Sequence, residues 1–411
     1  MNEKKKRFKL GLVPQMLIGI VLGCLIGSIG PVFNVQDSTA FSLVISLLVT
    51  FSDIFTQFLK FIVPLLIISY IGCGLAELGK RANKLFGVTV VLSYGFTLMA
   101  GAIAMVVGLT VLPGLVQPMV GETVEAVAYP SLLSELHFDP VMPVLTSLIV
   151  AFVLGLGAAN LKTDKLYGVL VDVRDIVGLI IGKIIIPVIP FFMVCLFANI
   201  AASGELMAAL GMFLTLFLFI VAFQWLELVL EYGAASIYTG KNQFGKIKNA
   251  IPAYITALGT KSSAASIPIN MECASKNGTD KDVAGFVIPL CANIHLAGDA
   301  VCLTFEGIGL MLAFGMEPTV GAFLPFIFML GIMMIAAPGI PGGGAAASLG
   351  LFSGILGFTE PMLAMVIALH TTQDSFGTAC NVAGDHAISF IVEKFDKNTQ
   401  AKAANKTAKV A

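Results

Sequence analysis

Charged side chains are scarce in this chain. Asp, Glu, Lys and Arg make up 12% of its 411 residues, whereas an ordinary soluble domain has about 25%. The formal net charge is −1, so the sequence lacks the basic excess that indicates a nucleic-acid partner. Hydrophobic residues reach 57%, with a mean hydropathy of +0.94. This composition predicts an all-α polytopic membrane protein, because β-barrel strands alternate and do not form apolar runs this long.

A regular cysteine spacing is also missing, since the seven cysteines include no CxxC pair. Cys24, Cys73, Cys195 and Cys302 lie inside apolar runs. We therefore expect small buried side chains rather than disulfides or metal ligands. Glycine, by contrast, is abundant at 42 residues, which suits close helix contacts and broken helices.

Long apolar runs predict eight membrane-spanning helices. They cover residues 10–29, 41–78, 85–115, 144–161, 166–203, 205–238, 283–314 and 361–392. Lysine-rich segments flank the series at residues 1–9 and 394–409, and basic flanks mark the cytoplasmic side of a membrane. We therefore predict that both termini are cytoplasmic and that the number of full crossings is even.

Two further apolar segments are interrupted by residues that a membrane helix tolerates poorly. Residues 251–271 contain the stretch GTKSSAASIP, and residues 322–358 contain AAPGIPGGGAAAS. Each segment precedes a full span, so the order of broken hairpin and helix is repeated. Irregular backbone at membrane depth is tolerated only where it is buried or lines a cavity. Interrupted segments in corresponding positions therefore indicate the binding site of a transporter.

Four polar side chains share one face of the last predicted span. At about 100° per residue, Asp374, Thr378, Asn381 and Asp385 fall within a wedge about 60° wide, and His370 lies at its edge. Carboxylates within a membrane helix are costly, so these two should face a cavity, a partner or an ion. The alternative is a hydrogen-bonded network that only stabilises a helix bundle.

These motifs resemble the dicarboxylate/amino acid:cation symporter family, which has the glutamate-transporter fold. Residues 261–268 (KSSAASIP) resemble the tip of its first re-entrant hairpin, and residues 339–344 (GIPGGG) resemble the tip of the second. Residues 374–385 resemble the substrate and sodium face of its last helix. The combination is most similar to the bacterial sodium/serine–threonine branch. It implies eight transmembrane helices with two re-entrant hairpins, inverted repeats and an elevator-type mechanism.

The resemblance also implies a set of substrate contacts. Asp374 matches the acid that holds the substrate ammonium, Asn381 matches the amide that holds its α-carboxylate, and Thr378 lies between them. The two hairpin tips match the walls of the pocket, at Ser262, Ser263, Ile340 and Gly344.

Two positions near this pocket depart from the pattern of members that carry acidic substrates. Those members have an arginine where this chain has Gly377, so no guanidinium is available there for a side-chain carboxylate. Lys261 stands where some members have a hairpin arginine, and it is a candidate partner of Asp374 instead. We therefore expect a sodium-coupled symporter of small neutral amino acids that resemble serine or threonine.

A sodium site is implied at Asp385 and the backbone carbonyl of Asn381, with Na⁺ as coupling ion and no organic cofactor. Tyr94, Thr97 and His295 match parts of a further sodium site, but Ala297 replaces its acid and His295 replaces an amide. We therefore expect fewer sodium ions per cycle than in three-sodium relatives.

The histidines leave an alternative open. A proton on residue 295, 370 or 386 in place of a sodium ion would indicate a proton-coupled symporter of amino acids or dicarboxylates, because histidine titrates near physiological pH.

The resemblance further implies an organisation into two parts. Residues 1–248 are expected to be mainly scaffold and trimerisation spans, with the third and sixth spans contributing to the transport domain. Residues 249–395 are expected to be the core of that domain, and residues 396–411 a cytoplasmic tail. The expected assembly is a homotrimer in the cytoplasmic membrane, with no enzymatic activity and no nucleic-acid partner.

An ion channel and an intramembrane enzyme are the alternatives from other classes of function. An ion channel needs an open polar stripe through several helices, whereas the polar residues here converge on one cluster. An intramembrane enzyme would need Ser262 or Ser263 to act with a histidine, but serine in a membrane hairpin more often bonds to backbone groups. Nothing resembles an ATP-binding loop, so an ion gradient is the expected energy source. Glu227 and Glu231 are interpreted as helix-end charges near an interface.

Overall fold

The computed structural model describes residues 12–73, 76, 84–116, 118, 129–136, 139–204, 206–336 and 343–410, and within these ranges every regular element is a helix. The α-helices are α1 (Leu12–Phe33), α2 (Thr39–Leu66), α3 (Lys84–Val111), α4 (Val144–Asn160), α5 (Lys165–Ile180), α6 (Ile186–Ala202), α7 (Leu206–Thr239), α8 (Ile247–Thr260), α9 (Ser263–Lys276), α10 (Lys281–Ile294), α11 (Ala297–Ala313), α12 (Val320–Ala336), α13 (Gly343–Gly354) and α14 (Glu360–Val410). The all-α prediction is confirmed.

Helix α1 packs closely along α6 through a row of glycines. Gly19, Gly23 and Gly27 face the backbone carbonyls of Pro190, Val194 and Ala198 in turn. A Cβ at Gly23 would lie 2.6 Å from the Val194 oxygen and 2.9 Å from Cβ of Phe197. Small residues one turn apart let membrane helices approach at backbone distance, which explains why these two helices pair.

Two of the predicted spans contain an irregular turn. Helix α2 continues into a π-helical turn at Ile67–Ile71, just after Pro64. The predicted span 166–203 is a bent pair, in which α5 passes through a π-helical turn at Ile181–Ile185 before α6 begins. Proline lacks the N–H that an interior helix position needs, and Pro187 and Pro190 lie at this bend.

Each interrupted segment forms a pair of short helices. Helices α8 and α9 have 14 residues each, which is too short to cross a bilayer. The chain reverses between them at Lys261, whose φ of 53° is left-handed, and the Ser262 side chain caps α9 by accepting a hydrogen bond from the Ala265 amide. Helices α12 and α13 form the second pair, and the predicted tip at residues 337–342 lies outside the described residues.

Helix α14 occupies the centre of the second half of the chain. Nearly every residue from Met362 to Val392 is buried, because α7, α8, α10 and α11 pack around it. It runs for 51 residues, so the predicted tail is a continuation of the same helix. The predicted span at 283–314 is broken at His295 and Leu296, between α10 and α11.

Within the described residues, four stretches are long and apolar enough to cross a membrane, and the bent pair of α5 and α6 makes a fifth. The four are Thr39–Phe58, Leu85–Gly114, Leu206–Thr239 and Lys281–Ala313. Shorter apolar helices occur at Leu17–Phe33, Ile149–Asn160 and Val320–Met334. The protein is therefore a multi-pass membrane protein. The count of eight spans, the domain boundaries and the inverted repeats stay predictions.

Candidate functional site

The polar face predicted on α14 exists and is closed off from solvent. Asp374, Thr378, Asn381 and Asp385 are 4%, 6%, 2% and 1% exposed. The opposite face is buried as well, where Ala379, Cys380 and Ala383 pack on α7, α8 and α9. Asp374, Asn381 and Asp385 lie close to polar groups on neighbouring helices, and these three residues divide into two groups along the helix.

The first group, called the His295 cluster below, consists of Glu227, Glu231, Asn270, His295 and Asp385. His295 lies at the break between α10 and α11. Its Nε2 is 2.8 Å from Oε1 of Glu231 on α7, and its Nδ1 is 3.1 Å from Oδ1 of Asp385. The other carboxylate oxygen of Asp385 accepts a hydrogen bond of 3.2 Å from Nδ2 of Asn270 on α9. A single imidazole therefore bridges two buried carboxylates from different helices.

Gly384 on α14 leaves the space that Glu231 and the His295 ring occupy. A Cβ at Gly384 would lie 2.8 Å from Cε1 of His295 and 3.0 Å from Cδ of Glu231, with an oxygen of Glu231 closer still. Tyr232, the residue after Glu231, donates a hydrogen bond of 3.1 Å to the Ala383 carbonyl. Helices α7 and α14 are thus held at a separation that admits no side chain at position 384.

The interpretation of Glu227 and Glu231 as charges at an interface is wrong. They are 2% and 1% exposed. Their spacing of one helical turn within a long apolar run was the signal in the sequence. Two acids on one face of a membrane helix need a buried partner, and here the partner of Glu231 is His295.

The second group, called the Asp299 cluster below, consists of Asp299, Cys302, Glu306, His370, Asp374 and Asn381. Oδ2 of Asp299 accepts a hydrogen bond of 2.7 Å from Nδ2 of Asn381, whose Oδ1 accepts one of 2.8 Å from the Gly298 amide. Nε2 of His370 lies 3.4 Å from Oδ1 of Asp299. Oxygen and nitrogen atoms of Asp299, His370 and Asp374 all lie within 4.8 Å of one another.

His370 also faces a second acid. Its Nδ1 lies 3.5 Å from Oε2 of Glu306, and Cys302 donates a hydrogen bond of 3.2 Å to the other oxygen of Glu306. Cys302, Glu306 and His370 bring their donor atoms within 4.8 Å of one another. The apolar run around Cys302 predicted only a small buried side chain, so its hydrogen bond to Glu306 was not predicted.

Gly377 and Gly344 both face the carboxylate of Asp299. A Cβ at Gly377 would lie 3.2 Å from Oδ1 of Asp299, and a Cβ at Gly344 would lie 3.5 Å from the same atom. The two predicted pocket glycines therefore converge, and an acid stands beside the position where acidic-substrate members are expected to have an arginine. Sequence reasoning missed Asp299 as a pocket residue, although it follows the broken segment by only a few residues.

The first hairpin tip reaches this group through Lys261. Its Nζ donates a hydrogen bond of 2.8 Å to the Thr371 carbonyl, and its charge is close enough to that of Asp374 for an electrostatic interaction. Ser263 is buried, and Ser262 is taken up with capping α9. The predicted pairing of Lys261 with Asp374 is consistent with this placement. Ile340 lies outside the described residues.

The remaining predicted sodium ligands lie on α3. Tyr94 packs against Gly331 of α12, and its hydroxyl lies 3.4 Å from the Phe328 carbonyl that accepts its hydrogen bond. The hydroxyl of Thr97 donates to the Ser93 carbonyl in its own helix. Among the hydrogen bonds of the described residues, none joins Tyr94 or Thr97 to Asp385. Their role as ion ligands stays a prediction.

The fit of a sodium ion at Asp385 depends on its oxygen atoms. Na⁺ is a hard cation that binds oxygen, and a carboxylate suits it chemically. Both oxygens of Asp385, however, accept hydrogen bonds, from His295 and from Asn270. An ion and the imidazole would compete for the same carboxylate. The residues in this arrangement do not fit a sodium ion at Asp385.

Comparison with known proteins agrees with the fold and these motifs. The model of the sodium:dicarboxylate symporter family matches residues 12–395. The chain belongs to this family. A serine/threonine transporter of Bifidobacterium adolescentis is 24% identical, covering 91% of this chain and 87% of its own length. Serine/threonine transporters of Streptococcus suis and Campylobacter jejuni are 26% and 27% identical, covering 82% and 96% of this chain and 92% and 98% of their own lengths. The family member described here is a transporter, not an enzyme.

Proposed function

We propose that this protein is a sodium-coupled symporter that imports small neutral amino acids, with serine and threonine as model substrates. The family is named for sodium symport, and the related proteins quoted above are named serine/threonine transporters. The description "dicarboxylate" in the family name does not suit this chain, because the candidate pocket is acidic where an acidic substrate needs a cation.

The observation that carries this proposal is the contact between Gly377 and Asp299. A substrate side chain beside Gly377 meets Oδ1 of Asp299, 3.2 Å from the position of a Cβ there. A second carboxylate at that point would be repelled by about 4 kcal/mol at a separation of about 4 Å and an effective dielectric constant of about 20. A hydroxyl group there donates a hydrogen bond to Asp299 instead. Short hydroxylated amino acids are thus favoured over aspartate and glutamate.

The backbone groups of the amino acid have partners on the same helix. Asp374 is the acid proposed to bind the ammonium group. Asn381 already donates one N–H of its amide to Asp299, which fixes its orientation and leaves its second N–H for the α-carboxylate. Thr378 lies between these two residues on α14. Together they orient the substrate so that its side chain faces Asp299.

The proposed coupling ion is Na⁺, because the family is named for sodium symport and an ion gradient is the expected energy source. We take Na⁺ as the driving ion, with fewer ions per cycle than a complete set of three sites would bind, because Ala297 is no ligand and His295 already contacts Asp385. The architecture proposed with it is a homotrimer in the cytoplasmic membrane, with cytoplasmic termini. In each subunit the helices from α8 to α14, together with α3 and α7, would move as an elevator against a scaffold of the other spans.

Uptake into proteoliposomes tests the proposal directly. Labelled serine, threonine, alanine and aspartate are offered with Na⁺ outside, with Na⁺ replaced by choline, or with a pH gradient alone. We expect sodium-dependent uptake of serine and threonine and poor competition by aspartate. Counterflow of labelled serine against internal serine separates a carrier from a channel. Uptake driven by the pH gradient alone and indifferent to Na⁺ would contradict sodium coupling, and tight aspartate competition would contradict the assignment of substrate.

A further inference from the structure

His295 is placed where two buried acids would otherwise face each other without a cation. Its two ring nitrogens lie 2.8 Å from Glu231 and 3.1 Å from Asp385, and all three side chains are at most 1% exposed. The hydrogen bond from Asn270 holds the second oxygen of Asp385. Gly384 leaves Glu231 and the ring the space they occupy. The His295 ring therefore occupies a specific position that the surrounding helices shape, rather than making an incidental contact.

The geometry favours the charged form of the ring. A neutral imidazole has one donor nitrogen and one acceptor nitrogen, whereas the imidazolium has two donors. Carboxylate oxygens lie within hydrogen-bond distance on both sides of His295, so only the doubly protonated ring donates to both. The groups that face it from the surrounding helices are Glu227 and Glu231 on α7 and Asp385 on α14, and none of them is basic. The ring of Phe96 on α3 closes another side, with its centroid 6.3 Å away.

We propose that His295 is a covalently attached substitute for a coupling cation, and that no sodium ion binds at Asp385. The imidazolium lies between Glu231 and Asp385, where an ion would need to sit to neutralise both. Because the charge is attached to the protein, it crosses the membrane with the transport domain in both directions and is not released. One sodium ion fewer is therefore coupled to each substrate molecule. This inference rests on the proposed symport of amino acids.

The proposal also explains why position 295 is a histidine. An asparagine at position 295, as the resemblance leads one to expect, provides an amide oxygen and no charge. Glu231 and Asp385 would then be two buried carboxylates without a cation, which is a costly arrangement unless an ion is present. Such a site recruits Na⁺ from solution, whereas a histidine satisfies it permanently.

The test is the dependence of substrate binding on sodium in purified wild type and His295→Asn. Serine binding is titrated in detergent at several Na⁺ concentrations, and the logarithm of apparent Kd is plotted against the logarithm of Na⁺ concentration. By linkage, one additional coupled ion steepens this slope by about one, so a tenfold drop in Na⁺ weakens binding to His295→Asn about tenfold more than binding to wild type. His295→Lys, which keeps an attached cation, is expected to retain the wild-type slope.

His386→Asn is the matched control. His386 is also fully buried, on α14 next to Asp385, and among the described residues its ring nitrogens have no hydrogen-bond partner. Its replacement is expected to leave the slope unchanged. An unchanged slope in His295→Asn, with serine binding intact, would overturn the proposal.

A second variant covers the case in which His295→Asn does not fold. Asp385→Asn is expected to keep the wild-type slope, since His295 still pairs with Glu231 and no ion is lost. A slope that falls by about one in this variant would place a sodium ion at Asp385 and overturn the inference. Failure of the proposed function is distinct, because wild type would then bind no amino acid at any Na⁺ concentration, or would bind it with a slope of zero.

Discussion

Replacement of Gly384 by alanine is a sharp test of the way α7, α10 and α14 meet. A Cβ at this position would lie 2.8 Å from Cε1 of His295 and nearer still to an oxygen of Glu231. Carbon atoms in ordinary van der Waals contact are about 3.5–4.0 Å apart. The glutamate therefore has to move, and it is the residue that holds one side of the imidazole. The substitution is expected to break the ion pair between Glu231 and His295.

The size of the effect follows from two opposing terms. Breaking a buried ion pair costs about 3–5 kcal/mol, because a charge is left uncompensated. Alanine in place of glycine inside a helix is favourable by about 1 kcal/mol. We therefore expect Gly384→Ala to lose about 2–4 kcal/mol of stability. Gly95→Ala is the matched control, because a Cβ there meets nothing within 4 Å, and it should be as stable as wild type or slightly more so.

Thermal unfolding of the detergent-solubilised protein, read by the loss of the monodisperse peak on size exclusion, measures the difference. A double-mutant cycle assigns the cause. If the clash with the glutamate is responsible, Gly384→Ala should cost less in a Glu231→Ala background, because the nearest obstruction is gone and the His295 ring, released from Glu231, can shift away from the new Cβ. Gly384→Ala with the stability of Gly95→Ala, or an equal cost with and without Glu231, would refute the packing described here.

Three further substitutions test other contacts. Asp374→Asn should weaken serine binding by about 10-fold or more, because a charge-assisted hydrogen bond is lost; unchanged affinity in detergent would contradict its role with the ammonium. Gly377→Arg alone should leave aspartate a poor competitor, because the new guanidinium pairs with Asp299. Adding Asp299→Asn should free the guanidinium and let aspartate compete. Equal competition by aspartate in the two variants would contradict the charge argument. Gly23→Leu should lower thermal stability, because a Cβ at Gly23 would already lie 2.6 Å from the Val194 carbonyl oxygen. Stability equal to that of Gly157→Leu, where nothing lies within 4 Å of a Cβ, would show that the close packing of α1 on α6 is unimportant.

The ends of many helices were predictable because hydrophobic runs end at charged or turn-forming residues. The span predicted at 205–238 is α7, from Leu206 to Thr239, and the span predicted at 144–161 is α4, from Val144 to Asn160. The end of α14 was not predicted. Hydropathy falls after Val392, but the tail is rich in alanine and lysine, which favour helix without any apolar face. A change in polarity indicates where a span leaves the membrane, not where its helix ends.

The polar face of α14 was predictable from its own spacing, but its partners were not. Periodicity places Asp374 and Asp385 on one side of one helix. It carries no information on which distant side chain will meet them. Asp299 lies on α11 and Glu231 lies on α7, and both are many residues away in sequence from the side chains that they contact. Only packing shows that Gly377 faces Asp299 and that Gly384 faces Glu231.

His295 and His370 share a pattern and differ in how tightly they are held. Each ring lies between two carboxylates. The distances for His295 are 2.8 and 3.1 Å, and both contacts are hydrogen bonds. Those for His370 are 3.4 and 3.5 Å, and its ring nitrogens form no hydrogen bond within the described residues.

The loosely held ring is the one beside the candidate pocket. A Cβ at Gly344, at the start of the second helix of the hairpin, would lie 3.4 Å from Nε2 of His370. A substrate beside Gly344 would therefore lie close to this ring, whose nitrogens are available for hydrogen bonds. His295, by contrast, has both nitrogens committed to acids on α7 and α14. A tightly bound cation suits a charge that stays with the protein, whereas a loosely held ring suits contact with a group that arrives and leaves.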